Sequence, residues 1–478
     1  MEWECVIDLT PKNKVLQNYL YNVSYQIVMT ILPLATIPYL TRVLGSYNLG
    51  IVRYTESVVQ VLTSFGLLGL VWYANRAVAC ERQSIEKLTI CFWEILFMRL
   101  ILMAATVGVF TVILLHSEFR DIYPAYYFYI IGTFLDISWF FTGIEEMKPV
   151  VIRNYIVRIV STILLFVLVR GRADTRIYVW LTSMTIFANS VLIFPFVLKW
   201  ISRVSFKDLR VLRHFLPALS MFLPQAATQI YVQCDKLMIK HMISNPSYIS
   251  FYTENEKIAK MPIILVTALS TVLMPRIAYE YRSGNRENVV IYVRKAFICT
   301  FFVLAPCCAG LMGIAPGFVN LFLGKEFAAT YPVLILFCPI MIFIGFSNVT
   351  GIQYLVALGR TRELTISYVS AAVINLVVNF LLIPRIGIYG AIIGTLIAEI
   401  LVYLIQYSFM VHELGSFRMS EQLWKIGLTS IFMGVIVAAM NYMPVGTVPK
   451  LVLQVLAGVV VYLAVMFRSG MLFSILRD

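Results

Sequence analysis

The sequence predicts an all-α, multi-pass membrane protein with about 14 transmembrane helices. Of its 478 residues, 60% are hydrophobic and 13% are charged, whereas soluble domains carry roughly 25% charged residues. The apolar residues form long continuous runs. Such runs favour membrane helices over a β-barrel, whose strands change polarity at every second residue. An internal repeat divides the runs into two matching sets.

Fourteen apolar segments are long enough to cross a bilayer, at about 20 residues per crossing. They lie near residues 18–43, 51–75, 88–115, 122–142, 149–169, 175–199, 214–243, 249–275, 293–318, 330–358, 363–384, 388–411, 422–443 and 448–470, and are numbered 1 to 14. We expect an N-terminal six-helix lobe in residues 1–206, a C-terminal six-helix lobe in residues 207–412 and two additional helices in residues 413–478. Because each lobe has an even number of crossings, the two lobes are expected to share one orientation.

The distribution of Lys and Arg predicts the orientation in the membrane. Connections on the side of the two termini carry 23 of these residues and the opposite connections carry 10, which places both termini in the cytoplasm. The same bias accounts for the net charge of +13 without a nucleic-acid partner. The N-terminus is unlike a cleaved signal peptide, so segment 1 is expected to remain as a span.

The repeat is visible in a shared tripeptide. Tyr54-Thr55-Glu56 opens segment 2, and Tyr252-Thr253-Glu254 opens segment 8, 198 residues later. Arg76 and Arg276 follow these tyrosines by 22 and 24 residues. We therefore expect segments 1 and 2 to correspond to segments 7 and 8.

The four segments of the repeat concentrate polar residues at helical spacing, so that each set lies along one helix face. The sets are Asn18, Asn22, Gln26 and Thr30 in segment 1; Arg53, Glu56 and Gln60 in segment 2; Gln225, Gln229, Gln233, Lys236 and Lys240, beside Asp235, in segment 7; and Glu254, Glu256, Lys257 and Lys260 in segment 8. An ionisable group at bilayer depth costs at least about 2.5 kcal/mol, so these faces are expected to line a wet cavity. Its cations would attract an anion such as a phosphate.

Several charged residues have a simpler structural reading. Arg53 and Glu56 could form a helix-surface ion pair, and Lys240 could extend to the membrane interface. Arg99 and Arg158 could pair with Glu94 or Asp136.

Other residues within the segments are expected to serve structure. Prolines in segments 1, 7, 8, 9 and 10 predict kinks. Trp139, Phe140, Phe141, Trp180 and Trp200 are interpreted as interfacial anchors. The eight cysteines are interpreted as small core residues without a disulfide framework.

Motifs along residues 15 to 410 resemble bacterial polysaccharide flippases, the Wzx-like (PST) family of the MOP superfamily, which also includes MurJ and the MATE exporters. The motifs are Asn18-Tyr19-Leu20-Tyr21-Asn22, Leu32-Pro33-Leu34, Pro38-Tyr39-Leu40-Thr41-Arg42-Val43-Leu44-Gly45, Leu49-Gly50, Asp235-Lys236-Leu237-Met238-Ile239, Tyr252, Glu256-Lys257-Ile258, Pro275-Arg276, Leu382-Ile383-Pro384-Arg385-Ile386-Gly387 and Tyr389-Gly390-Ala391. The resemblance implies a MATE/MurJ-like fold of two six-helix lobes with extra C-terminal helices.

The resemblance also implies the activity. The expected protein is an alternating-access flippase of the bacterial inner membrane that moves undecaprenyl-diphosphate-linked oligosaccharide for O-antigen, capsule or related polysaccharide synthesis. Its partners would be that lipid, the membrane lipids, and a polysaccharide polymerase with its chain-length machinery. The expected substrate-binding residues are Arg42, Arg53, Lys236, Lys240, Lys257, Lys260, Arg276, Asn22, Gln26, Gln229 and Gln233. Candidates for proton or sodium coupling are Glu56, Asp235, Glu254, Glu256 and Glu399.

Two alternatives remain open from the sequence. A MATE-like, cation-coupled drug exporter would share the fold but would favour acids over bases in its cavity. A membrane-embedded glycan polymerase would need a large outer loop or clustered catalytic residues, and the outer connections here are short. No nucleotide loop, metal cluster or nucleophile with its base is present in the sequence, so we expect a transporter without a cofactor rather than an enzyme.

Overall fold

A computed structural model of the chain describes residues 32–202, 204, 209–415 and 421–470, with side chains left out at 220, 223, 224, 231, 268, 271 and 272. These residues form helices and turns, and no strand occurs within them. Asn18, Asn22, Gln26 and Thr30 lie outside the described residues.

The described residues divide into two compact units. The first holds Ile51–Gln233 with the described residues up to Thr36, and the second holds Ile37–Gly50 with the described residues from Cys234 onward. Three helices pass from one unit to the other, because α1 crosses the boundary after Thr36, α2 begins before residue 51 and α11 continues beyond residue 233. The division predicted at residues 206 and 412 stays a prediction.

The first ten helices are α1 (32–43), α2 (Gly45–Gly66), α3 (Leu70–Glu81), α4 (Ile85–His116), α5 (Tyr126–Leu135), α6 (Ser138–Gly143), α7 (Lys148–Leu168), α8 (Thr175–Leu192), α9 (Phe194–Val197) and α10 (Phe215–Ser220). The remaining ten are α11 (Phe222–Met242), α12 (Ser247–Lys260), α13 (Ile263–Arg282), α14 (Arg286–Leu323), α15 (Tyr331–Phe337), α16 (Ile340–Ser347), α17 (Thr361–Ile386), α18 (Ile388–Leu414), α19 (Glu421–Ala439) and α20 (Thr447–Arg468). A π-helix, Asn348–Val356, follows α16 directly.

Eight of the described helices are long and apolar enough to cross a membrane, or ten when each of two bent helix pairs counts as one span. The all-helical membrane fold is thus confirmed, while the count of fourteen crossings stays a prediction. The difference has a physical cause, since several predicted segments are broken into shorter helices. The α2–α3 pair bends by 43° at Leu67–Gly69, where Leu68 and Gly69 have positive φ angles.

The breaks follow the predicted repeat. Segments 2 and 4 break at Leu67–Gly69 and at Asp136–Ile137. Segments 8 and 10 break at Met261–Pro262 and at Cys338–Pro339, where proline removes a backbone donor. Corresponding segments therefore have corresponding interruptions.

The buried arginine of α4 interacts electrostatically with Asp136, one of its two expected partners, but its hydrogen bonds go to backbone carbonyls. Arg99 is 1% exposed, and it donates from Nε to Phe134 O (2.8 Å) and from Nη2 to Thr133 O (2.7 Å). These carbonyls lie at the end of α5, where the helix stops before the break. Arg99 thus satisfies backbone groups that would otherwise be buried without a donor.

Glu94 of the same helix binds the stretch that precedes α10. Its carboxylate accepts hydrogen bonds from Arg210 N (2.5 Å) and His214 Nε2 (2.8 Å). It also forms an ion pair with Arg213 Nη2 (2.5 Å). Glu94 is fully buried, so this connection is held against α4 within the first unit.

Two minor expectations were wrong. Trp139, Phe140 and Phe141 are buried in an apolar core with Phe92 rather than exposed at an interface, because α6 follows the break and turns inward. Among the described cysteines, Cys80 is disulfide-bonded, whereas the other six are free thiols, buried or half-buried.

Residues 37–50, from the first repeat copy, pack within the second unit. Ser46 N donates to Glu326 (2.8 Å), and Ser250 Oγ donates to Ser46 O (2.8 Å). Gly50 lies directly against the carbonyl of Pro246, where a Cβ atom would overlap with backbone. The turn between α1 and α2 is therefore fixed to the start of α12.

Candidate functional site

Asp235 is the centre of a buried polar cluster in the second unit. It lies on α11 and is 2% exposed. Its carboxylate accepts hydrogen bonds from Thr395 Oγ1 (2.7 Å), Asn379 Nδ2 (2.5 Å) and Tyr252 Oη. Three donors from α12, α17 and α18 therefore meet one carboxylate, which compensates for its removal from water.

The last two turns of α12 carry two ion pairs. Glu254 is fully buried and pairs with Lys257 at 3.1 Å, and Glu256 pairs with Lys260 at 2.6 Å. The pairs follow the helical spacings i,i+3 and i,i+4. The lysine side chains remain 36% and 29% exposed, whereas the carboxylate side chains are 0% and 11% exposed.

Further charges of the second unit interact with these ion pairs or lie on the same helices as residues that do. Lys236 interacts electrostatically with Glu256, and both Asp235 and Glu399 interact with Lys260. Glu399 is buried on α18, one turn after Thr395, and Lys240 is half-buried in the last turn of α11. The structure thus brings most of the predicted C-terminal residues together, as alternating acids and bases.

The first unit contains a separate row of polar side chains. Arg53 Nη1 donates to Glu56 at 3.1 Å, Gln60 Nε2 donates to Glu56 at 3.2 Å, and Gln233 Nε2 donates to Gln60 at 2.6 Å. Arg53 and Gln233 are buried. Gln229 is half-buried one turn earlier on α11. The row connects the predicted polar faces of segments 2 and 7.

Two predicted cations lie elsewhere. Arg42 is exposed and donates to the carbonyls of Pro38 (2.9 Å) and Leu321. Arg276 is exposed on α13, directly after Pro275. The hydrogen bonds of Arg42 lead away from α12, so the place of both arginines in one common site rests on the motifs alone.

Sequence reasoning missed the groups that surround Asp235. Asn375, Asn379 and Thr395 are fully buried polar residues in otherwise apolar helices. Asn375 and Asn379 are four residues apart, and Thr395 is four residues before Glu399. That spacing was a usable signal, because such pairs lie on one helix face.

An apolar cavity lies beside the α12–α13 break. It has a volume of about 470 Å³ and is lined by residues of α12, α14, α19 and α20, with the break itself. Ile258, Met261 and Pro262 contribute from the break, Pro306 and Phe318 from α14, Met433 and Val437 from α19, and Gly458 and Tyr462 from α20. The end of α12 therefore presents lysines to a polar cluster and Ile258 to an apolar one.

The chemistry available is that of binding and proton or ion exchange. Groups of three or more His, Cys, Asp or Glu that could hold a metal ion do not occur among the described residues. The cluster at Asp235 instead combines a carboxylate with neutral oxygen atoms, including Asn379 Oδ1, which is buried without a hydrogen-bond partner among the described residues. Such a cluster can take up a proton or a monovalent cation.

Comparison with known proteins gives consistent matches. The family model described as polysaccharide biosynthesis protein matches residues 15–279, and the model described as lipid II flippase MurJ matches residues 153–466. A protein of Escherichia coli strain K12 described as a candidate O-antigen transporter is 24% identical over 82% of this chain and 96% of its own.

Solved structures agree on the fold. A lipid II flippase MurJ in an inward closed conformation matches with a TM-score of 0.69 at 17% identity, over 96% of this chain and all of its own. An inward-facing MATE family multidrug resistance transporter matches with a TM-score of 0.62 at 15% identity, over 83% of this chain and 94% of its own.

Each family model covers more than half of the chain, and the resemblance seen in the motifs is thereby confirmed. The chain belongs to the polysaccharide biosynthesis protein family, the Wzx-like flippases of the superfamily that also includes MurJ and the MATE transporters.

Proposed function

We propose that this protein is a flippase that moves undecaprenyl-diphosphate-linked oligosaccharide across the bacterial inner membrane by alternating access. The observation that carries the proposal is the end of α12. There Lys257 and Lys260 belong to the charged cluster, while Ile258 and Met261 line the apolar cavity. Charged and apolar surfaces within one helical turn suit an amphiphile, whose charged head and lipid tail need different surroundings.

The lysines suit the diphosphate. An ammonium is a compact cation with three N–H donors, and the side chains of Lys257 and Lys260 remain 36% and 29% exposed beside their carboxylate partners. The carboxylates also keep the lysines in place when no phosphate is bound, because a lone ammonium at bilayer depth would be costly. We assign the diphosphate to Lys236, Lys257 and Lys260, with Lys240 as a further cation of the same unit.

The amide row suits the oligosaccharide. Gln229 and Gln233 carry both donors and acceptors, which is what sugar hydroxyls require. Asn22 and Gln26, which the sequence places in segment 1, are assigned the same role. Because amide groups can hydrogen-bond many arrangements of hydroxyl groups, this row supports transport of a glycan but does not identify the glycan.

The apolar cavity supports a lipid-linked substrate over a soluble drug. Besides α14, it is lined by two residues of α19 and six of α20, the helices that follow the two predicted six-helix lobes. The MurJ family model continues to residue 466, through most of α20. We infer that these two helices receive part of the lipid tail while the head group crosses.

Asp235 is our choice for the coupling residue. Glu56, Glu254 and Glu256 each form an ion pair with a lysine or arginine at 3.1 Å or less. Asp235 instead accepts its hydrogen bonds from neutral donors, so it can exchange a proton or sodium ion without losing such a close pair. Sodium would be held by Asp235 with the side-chain oxygens of Thr395, Asn375 and Asn379. Gly394 leaves the space for Asn379 Oδ1, since a Cβ atom at Gly394 would overlap with that oxygen.

A MATE-like drug exporter remains the second candidate, favoured by the charge balance. The cluster in the second unit contains as many acids as lysines, namely Asp235, Glu254, Glu256 and Glu399 against Lys236, Lys240, Lys257 and Lys260. A cationic drug could therefore replace a lysine as the partner of one of these carboxylates. The flippase remains the better account, because it explains the apolar cavity as well.

Transport in vesicles tests the proposal. Purified protein is reconstituted with a fluorescent undecaprenyl-diphosphate oligosaccharide, and its appearance in the other leaflet is measured with an impermeant quencher or a lectin. We expect K236Q and K257Q each to reduce the rate about tenfold, the loss of roughly one charge-assisted contact. K425Q is the matched control, since Lys425 is an exposed lysine in an i,i+4 pair with Glu421.

The outcomes separate the candidates. Transport of a cationic dye in place of the lipid would establish the exporter and overturn the flippase. Unchanged lipid transport by K236Q and K257Q would refute the assigned site. Imposed sodium and proton gradients identify the coupling ion, and D235N is expected to remove the response to that gradient while leaving substrate binding intact.

In the cell, the product would be a lipid-linked oligosaccharide at the outer leaflet. A polymerase with its chain-length machinery is the class of partner that would consume it. Reporter fusions at the two termini should both report the cytoplasm, and an external signal from either one would refute the predicted topology.

A further inference from the structure

Arg42 and Lys325 line a second polar cavity, separate from the cluster at α12. This cavity has a volume of about 520 Å³ and lies in the second unit, where the ends of α1 and α14 and the start of α20 meet. Its polar lining residues are Thr41, Arg42, Asn320, Lys325, Glu326 and Thr447. They belong to three connections that the Lys and Arg bias places outside, so the cavity is expected at the outer end.

The guanidinium of Arg42 is held in place by the backbone. Nη1 donates to Pro38 O at 2.9 Å, and Nη2 donates to Leu321 O. Gly324 lies against the side-chain stem, since a Cβ atom there would come within 3.2 Å of Arg42 Cγ. A guanidinium has five N–H donors, so the two bonds to carbonyls leave donors for a ligand at a fixed position.

Lys325 adds a second cation at the same rim. It is exposed, and it has no ion-pair partner among the described residues. Glu326, the acid that lines this cavity, accepts a hydrogen bond from Ser46 N at 2.8 Å. The cavity thus has two cations against one carboxylate, and that carboxylate also fastens the turn between α1 and α2.

We propose that this cavity binds a lipid-borne phosphate group. An immobilised arginine beside a mobile lysine is the arrangement that phosphate oxygens favour, and the remaining volume leaves room for the group esterified to the phosphate. Two lipids could supply it. One is the diphosphate of the transported lipid after it reaches the outer leaflet, a case that rests on the proposed function. The other is a bilayer phospholipid, independent of transport.

Lipid binding to the purified protein tests this cavity. Native mass spectrometry or a nanodisc titration measures the affinity for undecaprenyl diphosphate, for phosphatidylglycerol and for phosphatidylcholine. K325Q is the main variant, because Lys325 is exposed and has no ion-pair partner among the described residues. We expect K325Q to weaken binding of at least one anionic lipid roughly tenfold, the loss of one charge-assisted contact. R42K should weaken it similarly, since an ammonium cannot reproduce the fork of N–H donors.

R385Q is the matched control. Arg385 is an exposed arginine in the last turn of α17, in another connection assigned to the outer side, and does not line the cavity. If K325Q binds only undecaprenyl diphosphate more weakly, the cavity is assigned to the transported lipid. If it binds only phosphatidylglycerol more weakly, the cavity is assigned to a bilayer lipid. Weaker binding of both lipids assigns a general phosphate site. Unchanged binding by K325Q, or an equal loss in R385Q, would overturn the proposal.

The result is independent of the transport assay. Normal lipid binding by K325Q together with defective transport by K236Q would refute the proposed lipid site in this cavity but support the flippase function. The reverse combination would keep the cavity and reject the assigned transport site.

Discussion

Replacing Glu256 by glutamine should destabilise the protein by leaving Lys260 without its carboxylate. The two side chains are 2.6 Å apart, and Glu256 is 11% and Lys260 29% exposed. Breaking a fully buried pair costs about 3–5 kcal/mol. Because nearly a third of Lys260 meets solvent and Asp235 and Glu399 still interact with it, we expect a loss of roughly 2 kcal/mol for E256Q.

A double-mutant cycle measures this energy. Unfolding in detergent is followed for E256Q, K260M and the double variant, and we expect the double variant to be more stable than the sum of the two losses by about 1–2 kcal/mol. E421Q is the matched control, because Glu421 and Lys425 have the same spacing and are 82% and 51% exposed. Exposed pairs contribute about 0–1 kcal/mol. An E256Q loss no larger than that of E421Q would refute the reasoning.

Three further substitutions probe other features. G394A places a methyl group where Asn379 Oδ1 lies, so we expect Asn379 to lose its bond to Asp235 and the response of transport to the ion gradient to fall several-fold. G50A overlaps with the backbone of Pro246, which cannot rotate away, and should lower the free energy of unfolding by about 3 kcal/mol. E94Q removes the charge of a fully buried acceptor with three donors and should lower the free energy of unfolding by about 2 kcal/mol.

Each of these substitutions has its own control. G108A adds a methyl group on α4 where nothing lies within 4 Å, so it should leave both stability and coupling unchanged. E86Q removes an exposed carboxylate from the first turn of α4. If transport by G394A responds to the ion gradient as strongly as transport by G108A, the assigned role of Asn379 is excluded. If G50A or E94Q unfolds at the same temperature as its control, the packing described is contradicted.

The sequence predicted the class of fold because hydrophobic length and charge bias act along the chain. It also predicted that Lys257, Lys260, Glu254 and Glu256 belong together, since i,i+3 and i,i+4 spacing fixes neighbours on a helix. The breaks were foreseen only in part. Pro262 predicts the break between α12 and α13. The break after Gly66 depends on the positive φ angle of Leu68, a conformation that leucine does not favour.

The cluster around Asp235 could not be assembled from the sequence. Asn379 and Thr395 lie 144 and 160 residues from Asp235, and no local spacing connects them. Arg99 illustrates the same limit, because its partners are main-chain carbonyls, which leave no signal in residue types. Tertiary packing alone decides which donor reaches such an acceptor.

The packing of residues 37–50 has a consequence for dissecting the protein into fragments. A fragment ending at residue 206 would keep Ile37, Leu40, Leu44 and Leu49, which are at most 4% exposed, without the α12 surface that the turn contacts. The complementary fragment would expose the start of α12 in return. Separately expressed halves should therefore be insoluble or degraded, whereas halves produced together should associate through this exchanged turn. The boundaries of the two units fall after Thr36, Gly50 and Gln233, and each lies inside a helix, so no single cut in a connection separates the units.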